Sequence, residues 1–302
     1  MKKNQLGTSD LWVSEMGLGC MSLGTEEQTA IRLIDEALDL GINFLDTADL
    51  YDRGRNEEIV GKALKQKRSE VILATKVGNR WTEGQDSWHW DASKLYIKEA
   101  VKLSLKRLQT DYIDLYQLHG GTMDDPIEET IEAFEELKQE GWIRHYGISS
   151  IRHNVIREYV KRSSIASVMM QYSIVDRRPE EEMLSLLSEH QISVIARGPV
   201  ARGVLSAKWR EKATEGYLDY SSDELIRLAE QLSSMEEGRE LLELALRYVL
   251  AEAAVAAAIP GASTIEQLQQ NVRAVRGEAL NQQAIEQIRS LSRANRYTAH
   301  RD

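Results

Sequence analysis

Residues 29–51 decide the fold: Thr29-Ala30-Ile31-Arg32-Leu33-Ile34-Asp35-Glu36-Ala37-Leu38-Asp39-Leu40-Gly41-Ile42-Asn43-Phe44-Leu45-Asp46-Thr47-Ala48-Asp49-Leu50-Tyr51. Ile31, Leu33, Ile34, Ala37, Leu38 and Leu40 recur close to a 3.6-residue period, which predicts a helix with one apolar face. Gly41 follows at the position where a left-handed residue ends a helix. The short apolar run at 43–45 then predicts a strand, and it ends abruptly in polar residues. Helix, glycine stop, buried strand and polar rim form one unit of an alternating α/β protein.

The unit repeats outward in both directions. Strands are expected at 16–18, 43–45, 71–74, 112–116, 145–148, 168–170, 193–196 and 256–259, eight in all. Helices are expected at 29–40, 93–108, 126–140, 180–191, 241–253, 264–275 and 282–293. Pro126 suits a first helical turn, and Gly141 ends the helix that follows. Such alternation implies a parallel sheet, and eight repeats imply a (β/α)8 barrel. The other arrangement, an open doubly wound sheet, usually carries Gly-x-Gly-x-x-Gly after its first strand. Here Gly17 and Gly19 are followed only by Gly24, which breaks that spacing. Before the first repeat, 2–6 and 11–14 flank Gly7-Thr8-Ser9-Asp10 and read as a hairpin. Without a linker or a change of composition, the reading is a single domain over 1–302. Segment 207–222 is the least regular and is expected as a long loop.

Bulk properties narrow the function. The 302 residues carry a net charge of −10. An acidic surface lacks the Lys/Arg excess that replaces counterions on nucleic acid, so no nucleic-acid partner is expected. Cys20 is the lone cysteine and can form no intrachain disulfide. The N-terminus has no apolar leader, and the most apolar stretch, 253–259, is far short of the ~20 residues that span a bilayer. A cytoplasmic protein with no membrane association is expected. The pattern specifies no oligomeric state. The six histidines show no metal spacing, and neither a phosphate-binding Gly-x-x-x-x-Gly-Lys loop nor a Gly-x-Ser-x-Gly elbow occurs.

Barrel enzymes carry their chemistry at the carboxyl ends of the strands. Read there, the second strand ends in Asp46, with Tyr51 just beyond. The third ends in Lys76, the fourth in His119, the fifth in Ser149 and Ser150, and the sixth in Gln171. A phenol is a weak acid near pH 7, with a pKa of about 10. A neighbouring ammonium lowers that value, so Lys76 is expected to make Tyr51 a better proton donor, with Asp46 keeping Lys76 charged. His119 can polarise a carbonyl oxygen. Protonating that oxygen is useful only if a hydride reaches the carbon. No side chain supplies one, so a nicotinamide cofactor is implied.

The run 41–51 with Asn56-Glu57 and Val60-Gly61 resembles a signature of the aldo-keto reductases. So do Ala74-Thr75-Lys76, residues 114–119, Gly147-Ile148-Ser149, and residues 259–263 with Gln267 and Asn271. The likeness runs in order over about residues 6–291, on the side of the family that resembles potassium-channel β-subunits. It implies a barrel closed at the bottom by the hairpin, and reduction of small carbonyl compounds by NADPH. It also implies a tetrad of Asp46, Tyr51, Lys76 and His119. Ser149, Ser150 and Gln171 would hold the carboxamide. Arg197, Gly198, Pro199, Val200, Ala201 and Arg202 would wrap the pyrophosphate through backbone N–H groups, helped by Lys208. Gly261, Ser263, Gln267, Gln270 and Asn271 would hold the adenosine end, with Cys20 and Met21 beside the cofactor. The relatives that serve channels offer an alternative, a redox-sensing NADP(H)-binding subunit with little turnover.

Two positions depart from the family. Arg197 stands where an aromatic residue usually stacks on the nicotinamide, and its charge would disfavour the oxidised, cationic ring. The stretch Ala262-Ser263-Thr264 lacks the basic residue that many relatives place on the 2′-phosphate, so NADH is a possible second cofactor. Past Lys76, a rim loop over 78–91 carries Trp81, Trp88 and Trp90. All three are candidates for an apolar substrate wall.

Overall fold

The structure, a computed structural model, describes residues 1–82, 87–235 and 239–301. In chain order the strands are β1 (Lys3–Gln5), β2 (Trp12–Ser14), β3 (Leu18–Gly19), β4 (Phe44–Asp46), β5 (Ile72–Val77) and β6 (Asn79–Trp81). There follow β7 (Trp88–Trp90), β8 (Ile113–Leu118), β9 (Ile143–Ser149), β10 (Ser167–Gln171), β11 (Ser193–Arg197) and β12 (Val255–Ile259).

Eight strands form one parallel sheet in the order β3-β4-β5-β8-β9-β10-β11-β12. A parallel bridge between Met16 and Ala258 brings its two edges together. Gly17 N donates to Ala258 O at 3.0 Å, and Ala258 N donates to Glu15 O at 2.9 Å. The sheet is therefore a (β/α)8 barrel, as expected. Both faces of its strands are covered, which is why β5 and β8 are buried throughout and lack alternation.

Two apolar cores follow from this layering. One lies between the strands and the outer helices. The other fills the barrel, where Phe44, Ile72, Leu115, Met169, Ile195 and Ala257 meet Leu6, Leu11 and Val13. Those last three come from the β1–β2 hairpin segment, which plugs one mouth of the barrel. The opposite mouth, at the carboxyl ends of the strands, is left for a ligand.

The expected helices appear with shifted ends, for instance Glu27–Asp39, Lys94–Leu108 and Ile265–Arg276. Helices Arg55–Leu64, His153–Arg162 and Ser222–Ser233 were not expected. Asn56 and Glu57 are buried in the first of these, and His153 in the second, so their inward faces are not purely apolar. Segment 207–222 is not a plain loop. It holds a short helix, Trp209–Lys212, and a 3-10 turn, Ala213–Glu215. The expected rim loop at 78–91 is an antiparallel hairpin of β6 and β7, and its residues 83–86 lie outside the described residues. No helix among the described residues is long and apolar enough to cross a membrane.

Candidate active site

The open mouth of the barrel holds a cavity of about 1260 Å³. That exceeds the roughly 300–1,000 Å³ of a typical small-ligand pocket. Tyr51 and His119 line one part of it. Ser149, Ser150, Met169 and Gln171 follow, then residues 197–203 with Lys208 and Lys212, and finally Gly261, Gln267, Gln270 and Asn271.

At the first part, three strand ends converge. Lys76 ends β5's polar stretch and is fully buried, while Asp46 at the end of β4 is 4% exposed. Lys76 Nζ donates to Asp46 Oδ2 at 2.7 Å, to Thr47 O at 2.7 Å and to Tyr51 Oη at 3.3 Å. Gln117 Nε2 from β8 donates to Asp46 Oδ1 at 3.2 Å. Burial is the largest single influence on the ammonium and disfavours it, but the attraction and hydrogen bonds of Asp46 and Tyr51 together outweigh burial and hold Lys76 above the usual lysine value.

Tyr51 corrects one expectation. Burial raises its phenol above the ordinary value, and Lys76 offsets only part of that rise, while Asp46 adds to it. The neighbouring ammonium therefore does not produce a net lowering, and Tyr51 keeps its proton through the neutral range. The ring stands edge-on to His119, with centroids 6.1 Å apart. Burial, followed by the charges of Lys76 and Arg197, pushes the His119 imidazole down to about 3. It is a neutral ring that can donate one hydrogen bond, and its Nδ1 is buried without a partner among the described residues.

Tyr51 is held by a strained turn. Asp52 and Arg53 both adopt left-handed backbone angles, with φ of 49° and 55°. Such angles cost non-glycine residues roughly 1–2 kcal/mol each. Gly54 follows at φ 85°, where a Cβ would lie 2.7 Å from Arg107. The Arg53 guanidinium stacks on Trp81 at 4.7 Å. Strain concentrated immediately after a rim phenol is characteristic of functional sites.

The three tryptophans separate into different roles. Trp88 is 47% exposed and lines the cavity. Trp90 also lines it, with its indole pressed against Gly78 and Gly120 and its Nε1 donating to Asp125 at 2.8 Å. Both glycines have positive φ, and a Cβ on Gly78 would come within 2.5 Å of the ring. Trp81 does not reach the cavity wall; it sits under Arg53.

The structure brings most of the expected cofactor residues to this cavity: Met21, Asp46, Ser149, Ser150, Gln171, residues 197–202, Lys208, Gly261, Gln267, Gln270 and Asn271. Cys20 and Ser263 are not on its wall. The Cys20 thiol is fully buried and points to Leu18 O, 3.7 Å away. Ser263 is exposed, and both its N and its Oγ donate to Gln267 Oε1. Within the expected pyrophosphate wrap, Pro199 has no N–H, and Ala201 N already donates to Gly198 O at 3.0 Å. Attraction for a phosphate there rests chiefly on Arg202, Lys208 and Lys212. Lys212, Tyr217 and Arg152 also line the cavity and were missed, because no motif or strand end marks them. A cavity of this size, lined by the Gln171 amide and by the cations Arg202, Lys208 and Lys212, fits a nicotinamide dinucleotide.

The sequence profile of the Aldo/keto reductase family matches residues 15–293. The chain belongs to the aldo/keto reductase family. Among curated relatives, an uncharacterized oxidoreductase of Bacillus subtilis, YqkF, is 60% identical over the full length of both chains. The NADH-specific methylglyoxal reductase of Escherichia coli is 32% identical, covering 91% of this chain and 94% of its own. The solved holo form of aldo-keto reductase AKR11C1 from Bacillus halodurans is 62% identical and superimposes over the whole of both chains with a TM-score of 0.97. This aldo/keto reductase is thus an oxidoreductase of a family that uses nicotinamide cofactors on small carbonyl compounds.

Proposed function

We propose that the protein reduces aldehydes and ketones to alcohols, with NADPH as hydride donor and Tyr51 as the acid. The whole 302-residue chain would work as one cytoplasmic barrel domain. The observation that carries this reading is the Lys76 ammonium set between Asp46 and the Tyr51 hydroxyl at the cavity edge.

When bound, NADPH supplies a hydride to the carbonyl carbon. Ser149, Ser150 and Gln171 would hold its carboxamide, with Arg197 against the ring and Arg202, Lys208 and Lys212 near its phosphates. His119, neutral and at the cavity wall, orients the carbonyl oxygen by a hydrogen bond and does not compete as an acid. Tyr51 gives that oxygen its proton. Burial makes the resting phenol reluctant to ionise, so the ammonium 3.3 Å from its oxygen acts where charge appears, on the phenolate that forms as the proton leaves. Asp46, anchored by Gln117, keeps Lys76 aimed. Trp88 and Trp90 give the carbonyl side an apolar wall, which favours aromatic or apolar aldehydes over sugars. NADPH is proposed first because the cleft carries cations. NADH remains a second cofactor, because Ser263 is engaged with Gln267 and the stretch Ala262-Ser263-Thr264 carries no basic residue.

The test mixes the chain with NADPH and a panel of aldehydes, then repeats the assay with NADH, following loss of reduced-nicotinamide absorbance. Turnover of apolar aldehydes, faster with NADPH, is expected. Tight binding of NADPH without turnover across the panel would overturn the reading in favour of a redox sensor.

A further inference from the structure

Gln171 lies at the end of β10, and its side chain belongs to the cavity. A primary amide can present either its carbonyl or its NH2 group to a ligand, by a half-turn about its last bond. Here one end is committed. Gln171 Nε2 donates to Tyr217 Oη at 2.7 Å, which leaves Oε1 as the end available to a ligand.

Tyr217 is itself held from several directions. Its N and O pair with those of Tyr220, at 3.0 Å in each direction. The turn begins at Gly216, with φ 73°. The Tyr220 hydroxyl accepts from Arg293 N, and Asn295 Nδ2 donates to Asp219 Oδ1 at 3.0 Å and to Val175 O at 3.1 Å. Residues 293–295 thus clamp the turn that carries Tyr217 against the rim. A surface loop with no role beyond connection would not require this buttressing.

We propose that Tyr217 is a positioning residue that sets the hydrogen-bonding sense of Gln171, and through it how firmly the nicotinamide carboxamide is held. The proposal rests on the reading that the cavity binds a nicotinamide. With Nε2 committed, Oε1 accepts from the NH2 of the cofactor carboxamide. With the amide free to reverse, that acceptor is presented only part of the time, and the carboxamide is held less firmly. Tyr217 therefore acts on the affinity for the cofactor, while Tyr51 and His119 act on the carbonyl.

The experiment uses the full chain and Tyr217→Phe, with NADPH carrying deuterium on one or the other face of C4. Deuterium in the alcohol product is read by mass spectrometry. Wild type is expected to transfer label from one epimer only. Tyr217→Phe is expected to raise the KM for NADPH roughly three- to tenfold, the scale of one neutral hydrogen bond. It should still transfer label from the same epimer as wild type, because turning the ring over would carry the carboxamide away from Gln171. The reduced 3-acetylpyridine analogue has a methyl group where the carboxamide has NH2, so its KM should be nearly the same for both proteins. In a Gln171→Ala background, Tyr217→Phe should add little. An equal KM rise with the analogue, or an undiminished effect in Gln171→Ala, would overturn the assignment in favour of a structural role. So would a KM for NADPH in Tyr217→Phe equal to that of wild type. Absence of label transfer by wild type from either epimer overturns the nicotinamide reading and this assignment with it.

Discussion

The two ends of the cavity are built differently. At the proton end, Asp46, Lys76 and His119 sit on or directly after β4, β5 and β8, and side-chain bonds of 2.7–3.3 Å link Lys76 to its neighbours. At the cofactor end, Arg197 is exposed as it leaves β11, Ala201 and Arg202 take left-handed backbone angles, and Lys208 and Lys212 are exposed. The first end is set by the sheet before any ligand arrives. The second is a chain of short turns whose shape rests on local contacts. Groups that must be placed to a fraction of an ångström belong on a rigid frame, whereas a loop suits a ligand that binds and leaves in every cycle.

The largest expected effect breaks the proton end alone. Tyr51→Phe should lower kcat by about 10²–10⁴-fold, the usual worth of a general acid, with NADPH affinity nearly unchanged. Steady-state kinetics paired with a fluorescence titration reads both quantities. Because burial holds the phenol above its ordinary value and His119 titrates only near 3, wild-type kcat should show no histidine break between pH 5 and 8. It should fall only under strongly alkaline conditions, where Tyr51 loses its proton. A mutant with most of its activity would remove Tyr51 from the mechanism.

A second break tests how far the proton end depends on its frame. Lys76→Met leaves Asp46 buried opposite a methyl group, and loss of one partner of a buried pair costs about 3–5 kcal/mol. Urea unfolding should show that loss. Lys76→Met with Asp46→Asn should recover part of the stability, because no buried charge is then stranded, but none of the activity. Recovery of activity in the double variant would mean that the ammonium does not serve Tyr51. Equivalent removal of Lys208, an exposed charge, should leave stability within about 0.5 kcal/mol, as expected of a surface position.

The same contrast explains what could be read before folding. Polar groups at successive strand ends made Asp46, Tyr51, Lys76 and His119 legible, because strand position and chemistry coincide there. The barrel followed from eight apolar runs separated by amphipathic segments. Helix Arg55–Leu64 was not legible, since Asn56 and Glu57 point inward and interrupt the apolar face. Trp81 looked like its two neighbours, and only cross-strand pairing with Trp88 and stacking under Arg53 separate their roles. The Tyr51 acidity was misjudged because burial, absent from any linear pattern, outweighs the visible lysine. Tyr217 gave no signal at all: its bond to Gln171 joins residues far apart in the chain, through a segment without periodicity.

The smallest expected effect sharpens the cofactor end. Arg197 lies beside Gln171 in register, since β10 and β11 pair these two residues. Its guanidinium is close enough to the proton end to help depress His119, so its field reaches the region where the ring would lie. A planar cation stacks acceptably on a neutral dihydronicotinamide but repels the oxidised ring, which carries a positive charge. The wild-type chain should therefore bind NADPH more tightly than NADP+, and Arg197→Tyr should narrow the ratio several-fold, an effect of about 1 kcal/mol. Calorimetric titration of both cofactor forms into both proteins measures it. Equal or tighter NADP+ binding by wild type would show that the guanidinium swings away from the ring and leaves redox discrimination to other groups. If the ratio narrows as expected, the loop end favours release of the spent cofactor, while the proton end stays the same in every state of the cycle.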